Sequence, residues 1–159
     1  MILQHNLARL FADDTSISYS GSNFETMETD INNDLINLIN EWAQIWLVDF
    51  NPKKTKALVI TNATPPEINI EFSGENVEII NDHKHVSVTL SSDVNWTTHI
   101  DNITTSALKR VYVLRKLKFT LSKKDLSNIY ITFIRPLLEY ACDMWDGCFE
   151  YDSEKIEKI

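Results

Sequence analysis

The sequence predicts an α+β protein, in which antiparallel hairpins and one amphipathic helix precede a helical region. Apolar and polar residues alternate in several short runs of the first 92 residues, the spacing of half-buried strands. Between these runs, apolar residues recur every three or four positions, as on one face of a helix. Beyond Asp93 the helical spacing dominates, without an internal repeat or a low-complexity linker. We therefore expect two domains, 1–92 and 93–159.

The bulk composition is that of an ordinary globular protein, with 43% hydrophobic and 24% charged residues. No apolar run reaches the roughly 18–20 residues that span a bilayer, and the first residues lack the basic region of a signal peptide. These features predict an intracellular protein of the nucleus or cytoplasm that does not bind membranes. Cys142 and Cys148 are too widely spaced for a CxxC metal site, so we expect free, partly buried thiols.

The first hairpin is predicted around two adjacent acids, Asp13 and Asp14. Leu10 and Phe11 precede the acids and Ile17 follows them, which indicates a strand on each side. At the turn of a hairpin, the carboxylates of both acids can reach the same edge of the hairpin. A cation bound there relieves the repulsion between the two negative charges. Such a pair suits Mg²⁺, which is usually held by one or two carboxylates together with substrate phosphates. Acid pairs are also common at solvated turns, so an ordinary surface turn is the alternative.

A long amphipathic helix is predicted next, capped by Ser22 or Asn23 and ended by Asn51-Pro52. Its apolar stripe consists of Phe24, Met27, Ile31, Leu35, Leu38, Trp42 and Ile45. The following loop carries Lys53, Lys54 and Lys56 and leads into a short strand, 57–60. From the spacing alone, these lysines either meet a triphosphate or form a solvated loop.

The remaining strands are predicted from alternation. Ile68 to Phe72 and Val77 to Ile80 are expected to form a second hairpin, and His83 to Leu90 a continuous strand. His83 and His85 would share a face of that strand, which makes a zinc site conceivable, although no third ligand is evident.

Two helices are predicted beyond residue 95. The first extends from Trp96 to Phe119, and the second is capped by Ser122, with Asp125 at its third position, until Pro136 interrupts it. The apolar face of the first helix is Ile100, Ile103, Ala107, Val111, Leu114 and Leu117. The buried side of the second is Leu126, Ile129, Tyr130, Phe133 and Ile134.

The net charge of −8 is unevenly distributed. Residues 1–106 carry 5 basic and 15 acidic side chains, 107–136 carry 8 basic and 1 acidic, and 137–159 carry 2 basic and 7 acidic. The basic block is either a solvated helix surface or a surface that contacts a nucleic-acid backbone.

Several segments together resemble the C-terminal part of the reverse transcriptase of non-LTR (LINE-type, Jockey-like) retrotransposons, over nearly the whole chain. Phe11-Ala12-Asp13-Asp14 resembles the metal box, and Trp46 with Asn51-Pro52-Lys53-Lys54-Thr55 resembles the next palm motif. His83-Lys84-His85-Val86-Ser87-Val88 is similar to the strand that grips the primer terminus. Trp96-Thr97-Thr98-His99-Ile100 and the segment from Ile134-Arg135-Pro136 through Tyr140 to Trp145-Asp146-Gly147 resemble thumb and connection sequences.

The resemblance implies a partial polymerase palm followed by a helical thumb. It implies Asp13 and Asp14 as catalytic ligands of Mg²⁺ or Mn²⁺, and Lys54 near the phosphates of a deoxynucleoside triphosphate. It implies His85, Val86, Ser87 and Val88 as the primer grip. Lys109, Arg110, Arg115 and Lys116 are expected on the nucleic-acid backbone, the partners being an RNA template and a DNA primer.

Two departures from the family pattern bear on function. Ser87 stands where the family usually has glycine. Family members also carry a long preceding region with the fingers and a further catalytic carboxylate, so we expect a fragment or decayed copy that is inactive alone. A nucleic-acid-binding remnant without polymerase activity is the alternative, and a product without a selected function is a third.

Overall fold

The computed structural model describes residues 7–11, 14–37, 41 and 43–159. The chain divides into two compact units, Met1–Val59 with Ala63–Ile80, and Ile60–Asn62 with Asn81–Ile159. Both units mix helix and strand, as the α+β class requires. The division lies near residue 80, whereas the domain boundary is predicted at residue 92, and the assignment of the two parts to palm and thumb stays a prediction.

The first unit has six short strands and two helices in its described part. They are β1 (Leu7–Phe11), β2 (Asp14–Ser18), α1 (Phe24–Asn37), α2 (Gln44–Trp46), β3 (Lys56–Leu58), β4 (Glu71–Phe72), β5 (Glu75–Asn76) and β6 (Glu78–Ile80). The predicted first hairpin is confirmed, because β1 and β2 pair antiparallel with Phe11 opposite Asp14. Ala12 and Asp13, between the two strands, lie outside the described residues.

Helix α1 begins as the sequence predicts. The Asn23 side chain caps it by accepting hydrogen bonds from the backbone N–H groups of Glu25 (2.9 Å) and Thr26 (3.3 Å). Leu35 of its stripe is buried in a core with Ile70, Phe72 and Val77, and Ile31 packs against this core. Within the described residues α1 extends to Asn37, and Ile45, which is predicted on the stripe, is 73% exposed. Leu38 and Trp42 lie outside the described part of the chain.

The prediction of a second hairpin is only partly confirmed. β4 and β5 form a two-residue hairpin around Ser73-Gly74, both in the left-handed region. Instead of continuing this hairpin, β6 pairs parallel with β3, placing Lys56 opposite Glu78, and these two side chains form an ion pair. The expectation that Val77 to Ile80 complete the hairpin is therefore wrong for β6, because its pairing is made with a distant strand.

The second unit combines one hairpin with helices. Its elements are β7 (Asp82–His85), β8 (Val88–Ser91), α3 (Thr97–Leu117), α4 (Lys123–Ile129), a π-helical segment (Tyr130–Ile134), α5 (Arg135–Glu139), α6 (Cys142–Trp145) and α7 (Glu150–Glu157). The expectation of one continuous strand from His83 to Leu90 is wrong. The chain reverses at Val86-Ser87, and β7 pairs antiparallel with β8.

Helix α3 agrees with its prediction to within two residues at each end. Ile100, Ile103, Ala107 and Val111 are buried on one face, where the core continues through Ile134, Leu138 and Trp145. Leu117 is 36% exposed, so the predicted apolar face ends before the last turn.

The second predicted helix is confirmed at its start and altered at Pro136. Ser122 Oγ accepts a hydrogen bond from Asp125 N at 3.2 Å and donates one to the Asp125 carboxylate at 2.6 Å. Pro136 has no N–H to donate, and in a regular helix its ring would crowd the carbonyl of an earlier turn. The π-helical segment just before α5 provides a wider turn at this point. Phe133 is 61% exposed, contrary to the prediction that it is buried.

Both cysteines are free, as predicted. Cys148 is half-buried, as predicted, whereas Cys142 is exposed, contrary to the prediction. Within the described ranges, no helix is long and apolar enough to cross a bilayer.

Candidate nucleic-acid interface

Of the two adjacent acids, only Asp14 lies among the residues that the structure describes. Asp14 is exposed and begins β2 directly after the two-residue connection, a position from which a carboxylate reaches the end of the hairpin. Asp13 lies outside the described residues. In the part of the chain that the structure describes, no group of three or more His, Cys, Asp or Glu side chains could hold a metal ion. A single carboxylate fits a largely hydrated Mg²⁺ as one of its ligands, so the metal box stays a prediction.

Lys54 lies in a self-contained turn of the first unit. Asn51 Oδ1 accepts a hydrogen bond from Lys53 N at 3.1 Å, and the Thr55 hydroxyl donates to Asn51 O at 3.1 Å. Pro52 sits at the start of the resulting 3₁₀ turn, Pro52–Lys54. The turn presents the exposed ammonium of Lys54 to solvent. Its contact with a triphosphate stays a prediction.

The four residues of the predicted primer grip form the end of the β7–β8 hairpin. His85 pairs with Val88, and Val86 and Ser87 make a two-residue turn with φ values of 45° and 68°. Two positive φ values are what a tight hairpin of this kind requires, and glycine or asparagine usually provides them. The serine at position 87 therefore stands where the backbone favours glycine, which gives a physical reason for the glycine of the family pattern.

The hairpin is fixed to the helices by polar contacts that the sequence analysis did not identify. Thr89 N donates a hydrogen bond to His99 Nδ1 at 3.2 Å, and Asn102 Nδ2 donates to Thr89 Oγ1 at 3.3 Å. At the turn, the Tyr140 hydroxyl donates to Val86 O at 3.1 Å. His99 and Tyr140 belong to the segments that resemble thumb and connection sequences, and this resemblance was the available signal for them.

His99 is almost completely buried, with 1% of its surface exposed. The rings of Trp96 and Trp145 lie 6.2 and 6.1 Å from its ring, centroid to centroid. Burial lowers the pKa of His99 below its ordinary value, and the charge of Lys84 lowers it further. The neutral ring is therefore favoured, which leaves Nδ1 free to accept the hydrogen bond from Thr89 N.

The four predicted backbone-contacting residues are all exposed on α3, but their surroundings differ. Arg110 Nη1 donates to the carbonyl of Phe133, which uses part of its guanidinium to join α3 to the π-helical segment. Lys116 Nζ lies 4.6 Å from the centre of the Tyr112 ring. Lys109 and Lys116 are seven residues apart, about two helical turns or roughly 10 Å, on the face opposite the buried one. Exposed Leu108 and Tyr112 accompany them, so this face mixes basic and aromatic or apolar groups.

A second polar cluster joins the start of α3 to α7. Asn95 Oδ1 accepts a hydrogen bond from Thr97 N at 2.8 Å, and the Thr97 hydroxyl donates to Asp152 Oδ2 at 2.7 Å. Asp152 is fully buried, and its other oxygen lies 3.0 Å from Lys155 Nζ. Lys155 also pairs with Asp101 at 2.5 Å. The cluster gives Thr97 a structural role, and the sequence offered no sign that Asp152 is buried.

Comparison with known proteins identifies similar chains in transposable elements. The chain is 29% identical over 154 residues to the probable RNA-directed DNA polymerase from transposon X-element of Drosophila melanogaster, covering 94% of this chain. It is 25% identical over 156 residues to the RNA-directed DNA polymerase from mobile element jockey of Drosophila funebris, covering 96% of this chain. The corresponding jockey polymerase of Drosophila melanogaster is 22% identical over 153 residues, again covering 94%.

The resemblance inferred from the motifs is thus confirmed as similarity along nearly the whole chain. The chain spans 17% of the length of each of these curated relatives. No protein-family model and no solved structure matches it.

Proposed function

We propose that this chain is part of a retrotransposon RNA-directed DNA polymerase and that its second unit binds a primer–template duplex. The observation that carries the proposal is the similarity to three transposon polymerases over 94–96% of the chain. The exposed basic face of α3 supports the binding role, because phosphate contacts supply most of the affinity of duplex-binding surfaces. The proposed setting is intracellular, where template, primer and nucleotides occur.

The proposed division of roles follows the order of the motifs. Asp13 and Asp14 would hold Mg²⁺ or Mn²⁺, which on binding supplies charge stabilisation to phosphoryl transfer. Lys54 would approach the phosphates of the deoxynucleoside triphosphate. The turn of β7 and β8, residues 85–88, would lie under the primer 3′ end, and α3 would contact the duplex backbone.

The alternative is a nucleic-acid-binding remnant without polymerase activity. One observation supports it: the basic residues of α3 are exposed and available to a nucleic-acid backbone, and this contact needs no metal site. The two functions share duplex binding and differ in catalysis, so binding is tested first.

The binding test reverses the charge of Lys109 and Lys116, on the face opposite the buried one, and of Arg115, which is exposed beside that face. In the triple variant Lys109→Glu, Arg115→Glu and Lys116→Glu, we expect weaker binding to an RNA–DNA duplex. Each lost phosphate contact should also lower the slope of log affinity against log salt concentration by roughly 0.9. Arg110 is left intact because its bond to the Phe133 carbonyl supports the fold.

The matched control reverses three exposed lysines elsewhere in the same unit, Lys123, Lys124 and Lys158. The net charge change is identical, so a general electrostatic effect would appear equally in both variants. The proposed role of α3 requires a larger fall in slope for the α3 variant. An unchanged slope, or an equal change in both variants, contradicts it.

A further inference from the structure

The turn between β7 and β8 has a backbone that its residues do not favour. Val86 and Ser87 both have positive φ, 45° and 68°. This region is unfavourable for residues other than glycine, and most of all for a β-branched side chain such as that of Val86. Such conformations persist where surrounding contacts hold them in place. The turn is also exposed, with 40% of the Val86 surface accessible.

Tyr140 provides a contact of this kind from 54 residues further along the chain. Its hydroxyl donates to Val86 O at 3.1 Å, directly at the first residue of the turn. The backbone of Tyr140 is fixed in turn, because Trp145 Nε1 donates to Tyr140 O at 3.0 Å. Trp145 is buried in the core of the second unit. The phenol of Tyr140 therefore connects the unfavourable turn to the helical core.

The contact at the turn is separate from the contacts at the base of the hairpin. At the base, His99 and Asn102 of α3 hold Thr89 through its backbone N–H and its hydroxyl. Removing the Tyr140 hydroxyl should leave these bonds in place. The hairpin would stay paired and attached to α3, while its turn would become free to relax.

We propose that Tyr140 is a positioning residue whose hydroxyl holds the Val86-Ser87 turn in the conformation that receives the 3′ end of a primer strand. This inference rests on the proposed function, because it takes residues 85–88 as the surface under the primer terminus. Tyr140 itself acts through the turn, by the hydrogen bond to Val86 O. The ligand class is a recessed 3′ terminus on a template strand, as distinct from an uninterrupted duplex.

The test compares wild type with Tyr140→Phe on two ligands of equal length. One is a DNA primer with a recessed 3′ end on an RNA template, and the other is an uninterrupted RNA–DNA duplex. Wild type should prefer the recessed end. The variant should lose about fivefold in that preference, the factor that one hydrogen bond represents. Its affinity for the uninterrupted duplex should stay unchanged, because the basic face of α3 is intact.

A rescue variant separates positioning from damage to the fold. Adding Val86→Gly to Tyr140→Phe should restore the preference, because glycine adopts the positive φ of this position without an external hydrogen bond. The matched control is Tyr151→Phe, which removes a phenolic hydroxyl 2.8 Å from Thr97 Oγ1 in the same unit. This control should keep the wild-type preference.

Each remaining outcome is decisive. An unchanged preference in Tyr140→Phe, equal losses on both ligands, or failure of the glycine rescue would overturn the positioning role. Wild type that binds the duplex without preferring a recessed end would overturn this inference and leave the proposed duplex binding intact. Absence of binding to both ligands would contradict the proposed function itself, and the inference with it.

Discussion

At the scale of single residues, the structure gives physical roles to side chains that the sequence marked only through resemblance. His99 accepts a hydrogen bond from Thr89 N, and the hydroxyl of Thr97 donates one to the carboxylate of Asp152. Helical spacing placed Ile100 and Ile103 in the core, but it could not reveal that His99 is 1% exposed. A polar residue beside an apolar stripe is ordinarily assigned to the surface, so its burial depends on what packs against it in three dimensions.

The buried His99 makes the stability of the second unit depend on pH. Its pKa is lowered in the folded protein by burial and by the charge of Lys84. Well above a pH of about 6.5, the ring of His99 is neutral in both the folded and the unfolded state. This histidine then does not change the free energy of unfolding with pH. As pH falls below that value, the unfolded chain binds a proton that the folded chain resists. Stability therefore declines, by at most about 1.4 kcal/mol per pH unit, until the folded pKa is reached.

The measurement is urea unfolding of wild type and His99→Asn between pH 7.5 and 5. The asparagine side chain can accept the bond from Thr89 N but does not titrate, so this variant should show a shallower decline. His83→Asn serves as the control because His83 is exposed. Identical pH profiles for wild type and His99→Asn would contradict the prediction.

At the scale of elements, sequence patterns succeeded where the signal is local and repeated. Helix α3 has 21 residues and therefore about six turns, each of which repeats the same apolar spacing. The reversal at Val86-Ser87 was missed because β-branched Val86 favours strands and the apolar alternation of Val86, Val88 and Leu90 continues through it. The parallel pairing of β6 with β3 was missed because it joins distant segments and leaves no local turn signal.

The docking of α7 on α3 yields a prediction at this scale. Asp152 is fully buried between the Thr97 hydroxyl and Lys155. Asp152→Ala would remove the acceptor of the Thr97 hydroxyl, while Lys155 would keep its ion pair with Asp101. The expected cost is that of a lost hydrogen bond to a charged group, about 2 kcal/mol of the free energy of unfolding. Asp146→Ala, at an exposed position, should change it by less than about 0.5 kcal/mol. Chemical denaturation of both variants checks this, and equal small effects would show that the cluster contributes little to docking.

At the scale of the whole molecule, the resemblance to other proteins could be predicted from the sequence more readily than the tertiary contacts. The motif order anticipated the similarity to transposon polymerases, and that similarity extends across both compact units. The α+β class also followed from the sequence. The bond from Tyr140 to the Val86-Ser87 turn did not, because it joins residues 54 positions apart through one hydroxyl.

The last prediction concerns catalysis by the chain alone. Two-metal phosphoryl transfer requires ligands that clamp both ions and positioning of the nucleotide, and positioning alone can contribute roughly 7–11 kcal/mol to lowering the barrier. The chain spans 17% of the length of its polymerase relatives. We therefore expect no primer extension on an RNA template with Mg²⁺ or Mn²⁺. Adding the preceding polymerase region in trans should restore extension, and Asp13→Ala should abolish the restored activity. Extension by the isolated chain that disappears in Asp13→Ala would show instead that this part of the polymerase is sufficient for catalysis.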